Sequence, residues 1–410
     1  MTDIIVQKYG GSSLKSPERI KAVAQRIIDT KKRAKSVVAV VSAMGKSTNE
    51  LIGLASQVSE QPIAREYDAL ISNGENISAS LLSMAINDRG VKAISLTGAQ
   101  AGIRTESLHK KAKILDVRTQ RIQDELDKDQ IVIITGFQGI NQYDDITTIG
   151  RGGSDTSAVV LAAALRCQEC EIYTDVDGVY TTDPRLEPAA RKLTEVTYDE
   201  MLEMASLGAK VLHPRSVECA KENEITIHVR SSFNEHEGTR VRKESVMEVN
   251  QPVTGVTLNE QESIISIVGV PDQPGIAGRF FSYLAQQGVN VDMIIQSVEN
   301  KTEPVNNISF SVLEDDLSLA TKLTEEMAQT LKAKSVSTDS SIAKVSIVGV
   351  GMMSRPGVAA QMFQTLGESN INIKRITTSE IKVSCAIDRD KASQAVQLLH
   401  DAFGLAVVTQ

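Results

Sequence analysis

Residues 4–13 read Ile4-Ile5-Val6-Gln7-Lys8-Tyr9-Gly10-Gly11-Ser12-Ser13, and Pro17 then opens Glu18–Ile28, whose apolar Ile20, Val23, Ala24, Ile27 and Ile28 recur at helical spacing. The order is strand, glycine loop, helix. Adjacent glycines let backbone N–H groups turn toward an anion, the helix start adds favourable partial charge, and Lys8 adds a mobile cation. A phosphate site and a tight structural turn beside a surface lysine both fit this segment. Further apolar runs at Ser36–Val41, Val91–Leu96, Ile131–Thr135 and Glu171–Thr174 are separated by helical patterns, as a mostly parallel sheet covered by helices requires.

The chain has 410 residues, and at roughly 150 residues per domain two or three domains are expected. With 41% apolar and 23% charged residues it has the composition of a globular protein. The net charge of −8 is spread along the chain without a basic tract, and aromatic residues are 3% with no Trp, which argues against nucleic acid as a partner. No apolar run approaches the roughly 20 residues of a membrane span, and the first residues lack signal-peptide character, so the expectation is a cytoplasmic protein without membrane contact. Four cysteines, at 167, 170, 219 and 385, are too sparse for a disulfide framework, and Cys167-x-x-Cys170 lacks a second ligand pair. Histidines at 109, 213, 228, 236 and 400 form no cluster along the chain, and no protein metal site is expected.

The second part of the chain is duplicated. Ile264-Ile265-Ser266-Ile267-Val268-Gly269-Val270, Pro274-Gly275, a helical stretch with Phe280, Phe281 and Leu284, and Gly288-Val289-Asn290-Val291 form one unit. Lys344-Val345-Ser346-Ile347-Val348-Gly349-Val350, Pro356-Gly357, Met362, Phe363 and Leu366, and Ser369-Asn370-Ile371-Asn372-Ile373 repeat its order. Each unit is marginal as an isolated core, so the two are expected to pair.

Four polar stretches remain. Gly45-Lys46-Ser47-Thr48 imitates the end of a P-loop, but Val40 stands where that pattern needs glycine, and Ser47 or Thr48 also suits a helix N-cap. Thr147–Ser157 concentrates Gly150, Arg151, Gly152, Gly153, Ser154 and Asp155 before the apolar helix Ala158–Leu165. There Arg151 suits bidentate capture of a carboxylate, and Asp155 suits orientation or acid–base work. In Tyr173–Arg185 the spacing of Asp175, Asp177 and Gly178 resembles a calcium loop, but Leu186 occupies the twelfth position, which excludes an EF-hand and leaves a nucleotide-framing loop or a polar turn. Glu75, in Asn73-Gly74-Glu75-Asn76, suits either a substrate ammonium or the first turn of a helix.

Lys8–Ser13, Ser42–Thr48, Gly136-Phe137, Gly150–Asp155 and Thr174–Arg185 together resemble the signatures of aspartate kinases of the amino-acid kinase superfamily, and the duplicated units resemble that family's paired ACT regulatory domains. The resemblance spans essentially the whole chain. It implies an α/β amino-acid kinase fold, a mostly parallel open sheet sandwiched by helices, over 1–245. Two ferredoxin-like βαββαβ ACT domains then follow at 246–340 and 341–410, with a strand near 248–261 contributed to the second. The implied reaction is phosphorylation of the L-aspartate side-chain carboxylate by MgATP, the first step toward lysine, threonine, methionine and diaminopimelate. It places Lys8 and Asp155 at the catalytic centre, with Lys8, Gly10, Gly11 and Ser12 along the transferring phosphate. It places Ser42, Thr48, Glu75, Phe137, Arg151 and Ser154 around aspartate, and Thr174, Asp175, Tyr180, Arg185 and Lys210 around ATP, with Mg²⁺ held mainly through the nucleotide phosphates.

For the regulatory units the resemblance implies a threonine site near Asp272, Gly275, Ile276, Ala277, Gln296, Asn372 and Ile373, and a lysine site near Asp272, Ser354, Ser379 and Glu380. It also implies a dimer formed through the ACT domains, and an α2β2 assembly where a shorter regulatory chain is made. Two alternatives are another carboxylate or carbamate kinase of the superfamily, and an amino-acid sensor with a degraded kinase domain.

Overall fold

The computed structural model describes residues 4–209, 211–244, 251–298 and 305–406. Lys210 and residues 248–250 lie outside them. The chain divides into two compact units, Met1–Tyr180 with Lys192–Val249, and Thr181–Arg191 with Asn250–Gln410.

The first unit is built on an eight-stranded sheet ordered Glu195–Thr197, Thr239–Arg242, Thr226–Ser231, Glu169–Thr174, Ile4–Tyr9, Ser36–Val41, Ile131–Thr135 and Ala93–Leu96. From Thr226–Ser231 onward every pairing is parallel. Ser36–Val41 and Ile131–Thr135 are buried along their whole length, which is why they read as continuous apolar runs. Ser16 caps the helix Pro17–Lys31 by accepting from the Arg19 N–H, and that helix buries its Ile20, Val23, Ala24, Ile27 and Ile28 stripe. Tyr9, Val41 and Thr135 are register partners across the sheet, and Tyr9 also faces Tyr173. The loops after these strands therefore leave from one edge, the carboxyl edge where ligands of open α/β sheets bind.

The second unit contains two four-stranded antiparallel sheets. One orders Ile294–Val298, Val305–Leu313, Glu262–Pro271 and Ser335–Asp339. Its core holds Ile265, Phe280, Leu284 and Phe310. The other orders Gly255–Asn259, Ile342–Val348, Lys382–Asp388 and Arg375–Thr378 over a core with Val345, Met362, Leu366, Cys385 and Leu399. The outer strand Gly255–Asn259 precedes the first sheet in sequence yet pairs with the second, so the duplicated units interlock through a strand.

A linear boundary near 245 assigns 181–191 to the first domain, whereas the chain crosses into the second unit at Thr181 and returns after Arg191. Burial explains the excursion. Leu186 packs on the second core, the Thr181 carbonyl accepts from Val256 N at 2.7 Å, and Thr181 Oγ1 meets His400 Nε2 at 2.9 Å with both side chains buried. Cys167, Cys170, Cys219 and Cys385 are free thiols, and burial pushes Cys167 up to about 11, the setting of packed rather than reactive cysteines. Among the described residues no helix is long and apolar enough to cross a membrane.

Candidate active site

Lys8 is the penultimate residue of the strand Ile4–Tyr9. Its ammonium lies 2.6 Å from Asp155 Oδ1 across the sheet edge, and both side chains are nearly buried. Asp155 stands in the first turn of Gly153–Ala164, a helix buried on nearly every side. A lysine and an aspartate 147 positions apart in sequence are thus joined in one ion pair.

The glycines around this pair are required by close approach. A Cβ on Gly11 would come within 2.8 Å of the Ala43 carbonyl, and Gly45 N donates to Gly11 O at 3.0 Å, so the first and second strand-end loops lie backbone to backbone. At Gly152, φ is +69° and a Cβ would meet the His213 ring at 2.2 Å. Such bare backbone beside a lysine fits a polyphosphate.

Around the pair lie Ser42 and Phe137, just past strand ends, Ser154 in the first turn of the helix Gly153–Ala164, and Glu75 in the first turn of the helix Asn73–Asn87. Ser42 N donates to Tyr9 O, Ala43 N donates to Glu75 Oε1 at 3.0 Å, and a Cβ on Gly136 would sit 2.8 Å from that of Ser154. Phe137 adopts φ +70°, its N–H donating to Ser157 Oγ. Thr48 lies beside Gly74. Neither Ser47 nor Thr48 makes the expected N-cap: Lys46 holds that position without a side-chain bond, and Ser47 Oγ turns back to Met44 O. Arg151 is exposed on the turn between Gly150 and Gly152.

Glu75 is 3% exposed and its Oε2 is buried without a hydrogen-bond partner. Burial pushes its carboxyl up to about 7 against the help of the Ala43 N–H. A folded-state value above the unfolded one means that the native state binds the proton more tightly. Stability from this group is therefore full below about pH 4.5 and is lost as pH rises through about 7. Glu75→Gln is accordingly expected to raise the melting temperature at pH 8 by several degrees and to leave it nearly unchanged at pH 4.5, as read by calorimetry.

Thr174 ends the strand Glu169–Thr174 and Asp175 follows it, with Thr174 Oγ1 donating to Asp175 Oδ1. Tyr180 donates to Asp177 Oδ1 at 2.8 Å. Asp177 also receives His236 and Lys192; burial alone would raise its carboxyl, but these partners bring it to about 2. This hub was missed because His236 and Lys192 are remote in sequence. Arg185 belongs to the second compact unit, where it pairs with Asp183. Lys210 is outside the described residues.

Glu169, Glu171 and His228 also come together, a trio that one-dimensional spacing did not reveal. It is already engaged: Arg240 pairs with Glu169, and Arg230 and Gln7 with Glu171.

In the second unit, Asp272, Gly275, Ile276, Ala277 and Gln296 line a cavity of about 300 Å³ together with Asn306. Gly275, at φ +90°, starts the helix Ile276–Gln286. Asn306 was not anticipated from sequence; it donates to Asp272 Oδ1 at 2.8 Å while its own Oδ1 is buried without a partner. Asn372 and Ile373 do not join this cavity within the chain. They precede the strand Arg375–Thr378 and line a separate space of about 430 Å³ with Asp339 and Lys374. Ser354, Ser379 and Glu380 are exposed and line neither cavity.

Residues 3–231 match the model of the amino acid kinase family, and residues 265–327 and 345–403 match an ACT domain. Aspartokinase 2 of Bacillus subtilis is 50% identical over 404 residues, covering 98% of each chain. Escherichia coli aspartokinase III in complex with aspartate and ADP, described as its R-state, superposes with a TM-score of 0.83 at 25% identity, covering 98% of this chain and 99% of that one. The same enzyme with lysine and aspartate, described as its T-state, gives 0.76 at 25% identity, covering 98% and 99%. Glycine cradle, paired Lys8 and Asp155, interlocked ACT sheets and near-complete coverage at half identity lead to one assignment: the chain belongs to the aspartokinase family.

Proposed function

We propose that the protein transfers the γ-phosphoryl group of ATP to the side-chain carboxylate of L-aspartate, giving 4-phospho-L-aspartate and ADP in the cytosol, with its ACT domains imposing feedback by amino-acid end products. The observation that carries this reading is the Lys8–Asp155 pair at 2.6 Å beside glycine backbones that tolerate no side chain. The substrate carboxylate is ionised near neutral pH, so alignment and charge neutralisation matter more than a general base. Lys8 follows charge onto the transferring phosphoryl oxygens, and Asp155 orients the lysine. Magnesium carried on the nucleotide phosphates supplies further neutralisation.

Arg151 grips the α-carboxylate and Glu75 receives the ammonium, a role that suits its buried Oε2, which no group of the chain partners. Ser42, Thr48, Phe137 and Ser154 complete the aspartate pocket. Thr174, Asp175, Tyr180 and Lys210 serve ATP. Glu75 must be ionised to receive the ammonium, so kcat/KM for aspartate falls below about pH 7 in the native enzyme, and that limb flattens in Glu75→Gln. Incubation with ATP, L-aspartate and hydroxylamine tests the reaction, since an acyl phosphate is trapped as the hydroxamate. No hydroxamate would overturn it.

The cavity at Asp272 and Asn306 suits threonine, whose ammonium and hydroxyl match an acidic side chain and an unpartnered amide oxygen. Asn372 and Ile373, remote within one chain, reach such a cavity from a second copy, which makes the ACT modules dimeric. Lysine, with Ser354, Ser379 and Glu380, acts at the same interface, and a shorter regulatory chain in an α2β2 assembly would use the same contacts. Asp272→Ala is expected to raise the half-inhibitory threonine concentration about ten-fold or more with kcat unchanged. Inhibition curves at fixed substrate check it.

A further inference from the structure

We propose that Asp68 and Arg215 are positioning residues: from outside the substrate site they hold the turn that carries Arg151, and thereby set the affinity for the substrate carboxylate. The inference rests on the reading in which Arg151 grips that carboxylate.

Gly150 and Gly152 have φ of +88° and +69°, so the turn that carries Arg151 is flanked by the two residues least able to fix a backbone path. Its placement must come from its anchors. Asp68, wholly buried on the helix Ala64–Ile71, spends its carboxylate on two stretches of chain. It accepts from Thr148 N at 3.0 Å and Thr148 Oγ1 at 2.7 Å, and from Lys110 N at 2.9 Å, with His109 Nδ1 also at 2.9 Å. Arg215, in the first turn of Pro214–Glu222, holds the same two stretches from another element. Its guanidinium donates to Ile149 O at 2.6 Å and Ala112 O at 3.3 Å.

The two stretches are themselves joined, since Ala112 N donates to Thr148 O at 3.0 Å. Lys110 then forms the floor of the turn: a Cβ on Gly150 would lie 2.9 Å from its carbonyl. Neither charged residue is where local helix energetics would put it. A wholly buried carboxylate is costly without ionic hydrogen bonds, and a cation in the first turn opposes the helix dipole. Both are accounted for by bonds to the backbone of Thr148 and Ile149, which lead into the turn that carries Arg151, and of Lys110 and Ala112 beneath it.

The test is steady-state kinetics on Asp68→Asn, Arg215→Met and Arg215→Lys, each in the native and the Arg151→Ala background, with melting temperatures recorded in parallel. Asp68→Asn and Arg215→Met are expected to raise KM for aspartate about ten-fold while KM for ATP stays within about two-fold. Arg215→Lys, which keeps one donor, is expected to recover part of the loss. In the Arg151→Ala background these increments disappear, because the brace acts through the missing side chain. Equal rises in both KM values, or increments that persist without Arg151, would overturn the inference while leaving the function intact. If Arg151→Ala alone leaves KM for aspartate unchanged, the assignment of Arg151 falls and the inference with it. Should Asp68→Asn fail to fold, the Arg215 pair decides the matter.

Discussion

Lys8→Ala is expected to lower kcat by about three orders of magnitude, the scale on which preorganised donors stabilise a developing charge in a dry site. The aspartate KM should change little, because the role proposed for Lys8 is at the transferring phosphate rather than at the amino acid. Its side chain is 11% exposed and that of Asp155 12%, so the truncation also leaves a nearly buried carboxylate without its 2.6 Å partner. Some loss of thermal stability therefore accompanies the kinetic loss, and Lys8→Arg, which restores the charge without the reach, separates the two: stability returns while turnover stays low. Asp155→Asn is expected to reduce kcat by about two orders of magnitude. If the pair works as one device, the double variant is scarcely worse than Lys8→Ala alone. A Lys8→Ala enzyme within ten-fold of native kcat would remove the ion pair from the catalytic account.

Lys344→Met is expected to destabilise the regulatory unit by about 3–5 kcal/mol, the cost of breaking a buried ion pair from one side. Lys344 is 1% exposed on the strand Ile342–Val348 and pairs with Glu262, at the start of the first ACT sheet, and with Asp292. Burial works to lower the lysine, but the two carboxylates hold it above its ordinary range. Asp292 reaches water and tolerates the loss; Glu262 is 3% exposed and one of its oxygens already lacks a hydrogen bond. Because two compact units do not guarantee one unfolding transition, the measurement is hydrogen exchange at the amides of Ile342–Val348. Protection should fall by about two orders of magnitude or more in Lys344→Met, and much of it should return when Glu262→Gln is added. Protection unchanged by Lys344→Met would show that the triad contributes nothing to holding the two sheets.

What the sequence disclosed follows from how local each signal is. The strand, glycine loop and helix at residues 4–28 depend on near neighbours, as does the repeated apolar order of the ACT units, and all appear in the structure as elements with those faces buried. The features that escaped are long-range. Asp68 is an unremarked acid in a short helix until Thr148, Lys110 and His109 are brought to it. Lys344 reads as one more polar residue in a β pattern, and only pairing of the two sheets' ends explains its burial. The excursion at 181–191 looks like a continuation of a nucleotide loop, although Leu186 and Thr181 are claimed by the second core. Asn372 shows the converse: a residue that the family resemblance groups with Asp272 lines a different cavity within the chain.

The most direct test of the account is the initial rate of ADP release by the full-length protein with MgATP and L-aspartate, measured alone and with threonine, lysine or both. The account predicts turnover that requires L-aspartate, is not supported by succinate, which lacks the ammonium for Glu75, and falls when threonine or lysine is added. ADP release that is indifferent to aspartate, or equally fast with succinate, would contradict it.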